Sequence, residues 1–177
     1  MAGSYRLVMT APLRRERPDF PAGYGLPDTT DGLLEWAPVR QRLVAAMHYW
    51  LATVRPDGRP HLIPRWGVWV DDRFYYDGSP ATRHARNLAS NPSCSLSLED
   101  GRQAVMLEGR SDPTRAEGDG LGARLAAAFG KYHESGYAPS ADAWQGEGGG
   151  GLRVFRPRIA LAWTNYPQDA TRFVFGD

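Results

Sequence analysis

The sequence predicts a mainly β protein with flanking helices, its strands antiparallel and closed on themselves as a barrel. Three observations carry this. Residues 49–77 read as three strands in a meander, because β-branched and aromatic runs flank Pro56-Asp57-Gly58 and then Asp71-Asp72. Residues 93–98, Ser-Cys-Ser-Leu-Ser-Leu, alternate strictly between small polar and apolar side chains, and Asp100-Gly101 turns that run into the next. Strands and helices do not alternate, which excludes a doubly wound nucleotide fold. Closure removes the exposed edges that an open sheet would leave.

The elements follow in chain order. Residues 1–30 are rich in Pro, Gly and charge and carry no periodicity, so they read as an N-terminal arm on a domain spanning 31–177. Trp36, Val39, Leu43 and Met47 recur at helical spacing. The meander then predicts strands at 49–55, 59–70 and 73–77. Pro64 lies inside the second and calls for a bulge or a sheet edge, since proline cannot donate to the ladder. Alternation puts Trp66 and Trp69 on opposite faces of that strand. A short helix comes next, with Ser79 as N-cap and Pro80 in its first position. Ala81, Ala85 and Leu88 share its inward face, and Arg83, His84 and Arg86 point elsewhere. After the alternating strand and its partner, residues 113–133 read as a helix weakened by glycines, with Leu121, Leu125 and Phe129 spaced by four. Residues 134–151 form a loop, and 152–165 and 170–175 are two final strands. The sum is seven strands and three helices.

Composition removes several function classes. A net charge of +1 gives no bulk attraction to nucleic acid or to acidic membranes. No apolar run reaches the length of a membrane span, and the first 20 residues lack the apolar core of a secretory signal. Cys94 is the only cysteine, so there is no disulfide framework and no thiolate metal cluster. The expectation is a cytoplasmic protein without nucleic-acid or membrane partners.

Candidate chemistry is sparse. Gly146, Gly148 and Gly151 satisfy G-x-G-x-x-G, but no strand precedes them and no helix follows, so the run reads as a floppy loop or lid rather than a dinucleotide site. His48, His61, His84 and His133 have no metal-ligand spacing. No G-x-S-x-G elbow is present. Cys94, among alternating apolar residues, reads as a small buried hydrophobe. The start of the short helix is different. Arg83, His84 and Arg86 crowd the positive end of a helix dipole, where cations are mildly unfavourable. A solvated helix face and an anion site built on free amides, Thr82 and two cations balance evenly on local physics alone.

The order of the segments YWLATVRPDGRPHLIPRWGVWVDDRFYY, SPATRHARNLASNPSCSLSLE and RQAVMLEGR decides further. Over about residues 33–113 the chain resembles the pyridoxamine 5'-phosphate oxidase-like family of flavin-binding proteins, and RPRIALAWTNYPQDATRF resembles that family's end more loosely. The resemblance implies an antiparallel split β-barrel, dimeric, with the cofactor at the subunit interface. It implies an oxidoreductase using FMN or the deazaflavin coenzyme F-420, with hydride passing to or from a small substrate. A non-catalytic flavin carrier or sensor is one alternative. A haem-binding split barrel is the other, and it would need His61 or His133 as axial ligand. By the resemblance, Thr82-Arg83-His84 takes the place of a Ser-Arg-Lys triplet that grips the phosphate, with Ser79 beside it. Arg65 matches a basic strand residue near the phosphate. The strand through His61, Ile63, Pro64, Arg65 and Trp66 runs along the ring edge, and Tyr76 is the aromatic before the clamp. Gln103 matches a glutamine on the flavin, while Trp163 and Arg172 match a Trp and an Arg near the end. The Arg-x-His substrate signature of the oxidase itself is missing, which removes the expectation of pyridoxamine phosphate oxidation. No residue stands out as catalytic, and no metal is implied.

Overall fold

In the computed structural model, which describes residues 12–176, nine strands form one antiparallel sheet flanked by three α-helices. The strands are β1 (Arg14–Glu16), β2 (Tyr49–Val54), β3 (Pro60–Arg65), β4 (Val68–Val70), β5 (Arg73–Tyr76), β6 (Ser93–Ser97), β7 (Val105–Pro113), β8 (Arg153–Ala162) and β9 (Thr171–Val174). The helices are α1 (Trp36–Ala45), α2 (Arg83–Ser90) and α3 (Ala123–Phe129). The main path runs β1-β9-β8-β7-β6-β2-β3, with β4 on β5 and β5 on β8. The long β8 splits the barrel. Its first residues pair with β5 and its last with β9, while β7 follows it throughout.

Local chemistry explains the turns. Gly58 has φ +83 and closes the β2–β3 hairpin. Asp71 and Asp72 both have positive φ, the backbone a two-residue hairpin demands. Asp72 is buried there and is held by Arg40 at 2.9 Å and by the Trp36 indole, which ties α1 to the turn. Pro64 sits on β3, which ends the strand path, as a proline in a ladder requires.

Three expectations need correction. The strand expected over 59–70 is two strands, because the chain breaks at Trp66-Gly67. A Cβ on Gly67 would overlap the Phe74 ring, so the backbone there lies directly on the core. Trp69 then turns inward at 4% exposure, while Trp66 stays 38% exposed. Second, the expected arm carries a strand: β1 pairs with β9, and Arg17 donates to the carbonyls of Thr29, Gln168 and Ala170. Third, the helix expected over 113–133 is a π-turn (Gly118–Gly122), then α3, then a 3-10 turn (Gly130–Ser135). Gly120, at φ −116 and ψ −110, interrupts it. Met47 lies beyond the end of α1 and is exposed, so only Val39 and Leu43 of the expected stripe are fully buried.

Two apolar clusters result. One fills the barrel with Leu43, Tyr49, Leu51, Phe74, Leu96, Leu107, Phe155 and Phe173. The other packs α3 and the segment after it on β4 and β5 through Leu125, Phe129, Tyr132, Trp144 and Val154. Residues 77–82 connect β5 to α2.

Candidate functional site

The approach to α2 is a tight turn. Ser79 Oγ accepts from the Ala81 amide at 3.2 Å, and the Ser79 carbonyl accepts from the Thr82 amide at 3.1 Å and from Thr82 Oγ1 at 2.9 Å. Ser79 is therefore spent within the turn. The N-cap is Thr82, not Ser79, and the first helical residue is Arg83, not Pro80. No side chain caps this first turn, so its amides remain free to meet an anion.

Ala85 and Leu88 face inward as expected, and His84, four residues before Leu88, shares their face. Ala81 precedes the helix and is exposed, and His84, Ala85, Asn87 and Leu88 form the buried face. His84, expected to point outward as a third cation, is 4% exposed, with its ring 6.2 Å from that of Tyr76. Burial first, then the charges of Arg65 and Arg153 and the nearby His61, push its pKa down to about 4. At neutral pH it is an uncharged ring, which contradicts a lysine-like role. Its Nε2 lies 3.3 Å from Thr82 Oγ1.

Arg65 and Arg153 act on His84 and Arg83 acts on His61, while Asp77 and Glu147 line the cleft beside them. Arg83 is exposed. Arg65 donates to the Asp77 carbonyl and lies 5.5 Å from the Tyr76 ring centre, and its Nε is buried without a partner. Arg153 donates to the Ser111 carbonyl at 2.6 Å. Among the described residues no carboxylate pairs with Arg65, Arg83 or Arg153. The nearest acid in sequence, Asp77, spends its carboxylate on the Tyr137 hydroxyl and on the Trp144 indole at 2.8 Å. Tyr76 is fully buried, shares a 2.7 Å hydrogen bond with Ser111 Oγ, and has its pKa pushed up to about 12, chiefly by burial. It is a structural hydroxyl.

Residues along and just after β3 alternate in exposure. His61, Ile63 and Arg65 are half-buried, and Leu62, Pro64 and Trp66 are exposed. His61 has its pKa lowered by burial and by Arg55 and Arg83, which places it electrostatically beside the start of α2. Trp66 stacks on Tyr132 at 5.0 Å and 14°. Pro64, Arg65, Trp66, Asp77, Gly78 and Tyr137 line a cleft of about 390 Å3. A second cleft, about 420 Å3, lies between the start of α2 and the glycine run. That run takes a defined left-handed turn. Gly148, Gly149, Gly150 and Gly151 all have φ between +57 and +75, and a Cβ on Gly151 would overlap the Gly78 carbonyl. Only glycine permits this left-handed turn so close to another backbone.

The remaining expected residues lie elsewhere. Gln103 is exposed in the β6–β7 loop. Trp163 donates from its indole to the Gly101 carbonyl at 3.2 Å, in a cleft shared with Phe20, Tyr24 and Tyr166. Arg172 on β9 is paired with Glu16. From Ser111, which touches Tyr76, to Val105 beside this group is six residues of β7, about 20 Å. Within one chain the structure does not bring Gln103, Trp163 and Arg172 to α2. Sequence reasoning missed Arg153, Ser111, Asp77 and Tyr137. Asp77 alone carried a signal, as the acid immediately before the clamp.

The sequence model of the family described as pyridoxamine 5'-phosphate oxidase matches residues 39–162. The chain belongs to that family. The match runs from within α1 to the end of β8 and so contains Arg65, Arg83 and Arg153. Solved structures share the fold. A conserved hypothetical protein, Rv2991 from Mycobacterium tuberculosis, is 21% identical with a TM-score of 0.60, covering 76% of this chain and 88% of that one. An F420 reductase is 21% identical with a TM-score of 0.51, covering 68% and 94%. A haem-binding protein from Mycobacterium smegmatis is 20% identical with a TM-score of 0.51, covering 74% and 55%. No curated protein matches. Relatives of one fold thus carry different cofactors by name, and the choice for this chain rests on its own residues.

Proposed function

We propose that the protein is an oxidoreductase that binds FMN or deazaflavin F-420 through a phosphate at the start of α2 and moves hydride between that cofactor and a small substrate. The observation that carries this is that Arg65, Arg83 and Arg153 form no ion pair with a carboxylate among the described residues, and that Arg83 opens an uncapped helix. Such a cluster repels itself until an anion arrives. The residues fit the group. Thr82, Arg83 and the free amides take the phosphate, and Arg65, with an unpartnered Nε, reaches it from β3. The planar ring lies along Pro64–Trp66 in the cleft walled by Tyr137. When bound, the cofactor supplies the hydride chemistry. The chain's own part is to hold the anion, fix the ring against the strand and exclude water on one side. His84, uncharged and buried, packs beneath the clamp rather than gripping the phosphate.

Gln103 and Trp163, about 20 Å along β7, reach the same cofactor only from a second copy. We therefore propose a homodimer with the cofactor between copies. Arg172 joins it only by leaving Glu16. The F420 reductase among the structural relatives supports the deazaflavin branch of this reading.

The test is an absorption spectrum of the purified protein, followed by titration with FMN and with F-420. The two-band spectrum of oxidised FMN or the single band of a deazaflavin is expected. A Soret band would transfer the site to haem. A colourless protein that takes up neither flavin would end the proposal.

A further inference from the structure

A buried polar relay runs from α2 through β2 to β3. Asn87 is fully buried, and its Nδ2 donates to Thr53 Oγ1 at 3.0 Å. Thr53 is itself buried at 2% exposure, and its Oγ1 lies 3.5 Å from His61 Nδ1. Register explains the meeting, since Thr53 and His61 are paired residues of β2 and β3 and α2 packs on β2. The hydroxyl accepts from Asn87 and keeps one hydrogen to give. His61 Nδ1 lies within reach of that hydrogen and can accept it when the ring carries its own hydrogen on Nε2. His61 is neutral at pH 7, because burial, Arg55 and Arg83 all disfavour its charged form. A neutral imidazole that accepts at Nδ1 carries its hydrogen on Nε2.

We infer that Asn87 and Thr53 are positioning residues that lock His61 as its Nε2–H tautomer, so that it offers one uncharged hydrogen-bond donor to an anion held beside Arg83. This rests on the proposed anion site for its purpose but not for its geometry. A neutral donor adds directionality without adding a further charge to the Arg65–Arg83–Arg153 cluster. An alternative tautomer would turn a lone pair toward incoming phosphate oxygens and repel them. The relay also gives two polar side chains in core positions a shared hydrogen bond, while Asn87 Oδ1 stays buried without a partner.

The deciding experiment is a long-range 1H–15N correlation on the ligand-free protein with 15N-labelled histidine, His61 being assigned by loss of its signals in His61→Gln. Wild type is expected to show a bare Nδ1 and a protonated Nε2. Thr53→Val, nearly isosteric, is expected to shift His61 toward a mixture, and Thr53→Ser to restore the single form. A protonated Nδ1 in wild type, or an unchanged tautomer in a folded Thr53→Val, overturns the inference. FMN titration then reports on the purpose. Thr53→Val should weaken FMN by about three- to tenfold, as loss of a neutral hydrogen bond does, while Thr53→Ser stays within about twofold. If wild type binds no FMN while the tautomer is as stated, the cofactor reading fails and the relay stands.

Discussion

Removing the Arg83 side chain separates the two readings of α2 most cleanly. The guanidinium is exposed, forms no ion pair among the described residues and sits in the first turn, where its charge opposes the helix dipole. Arg83→Ala should therefore leave the ligand-free protein within about 0.5 kcal/mol of wild-type stability. The complex is another matter. A charge-assisted hydrogen bond to a phosphate is worth about 1.5–3 kcal/mol. At 1.4 kcal/mol per decade, Kd for FMN or F-420 should rise roughly ten- to 150-fold. Fluorescence titration at fixed ionic strength measures this, with urea unfolding run in parallel. Salt gives an internal check: wild-type affinity should fall between 50 and 300 mM salt (about a twofold change in screening length), and the variant's should fall less. An affinity within about twofold of wild type in a folded variant would return Arg83 to a solvated helix face. A large drop in stability would refute the claim that its role lies in the complex.

Two further outcomes follow from His84. Replacement by lysine, which a phosphate-gripping role would favour, should instead destabilise the fold by about 3 kcal/mol or more, because an ammonium would be buried beside Arg65 and Arg153 without an acid. A urea midpoint equal to wild type would refute this. The pH profile tests the same burial without a new charge. The unfolded chain binds a proton at His84 near pH 6.5, and the folded chain refuses it until about pH 4. Stability present above pH 6.5 should therefore be lost as pH falls through that window, with His61 contributing in the same direction. His84→Gln should flatten the slope, and an unchanged slope in urea midpoints against pH would show that His84 is not its source.

The parts of this fold that were legible in the sequence are those fixed by local backbone needs. Gly58 and the Asp71-Asp72 pair announce hairpins because their positions require positive φ. The alternation at 93–98 announces β6 because its faces meet core and solvent. What stayed hidden depends on residues far apart in the chain. The break at Gly67 exists because Phe74 lies beneath it, and β1 exists because β9 offers an edge. Ser79-Pro80 has the composition of a helix start, but the turn it makes with Ala81 and Thr82 consumes its hydrogen bonds and moves the start to Arg83. His84 is buried because it stands four residues before Leu88 on the inward face. The cations at the site were legible from Arg83 and Arg65. The uncharged state of His84 was not, because it depends on Arg153, which arrives from β8.

Asp77 carries a mechanical consequence. Its carbonyl receives Arg65, and its carboxylate receives Tyr137 and Trp144. One residue thus bolts a clamp cation to the aromatic layer above the cleft, a single peptide away from Gly78. The glycine turn adds a second bolt where Gly151 meets Gly78. The layer over the cleft is thus tied at two points to the backbone that leads into α2. A displacement of Arg65 would be felt through Asp77 at the Trp144 indole, whose fluorescence can report it.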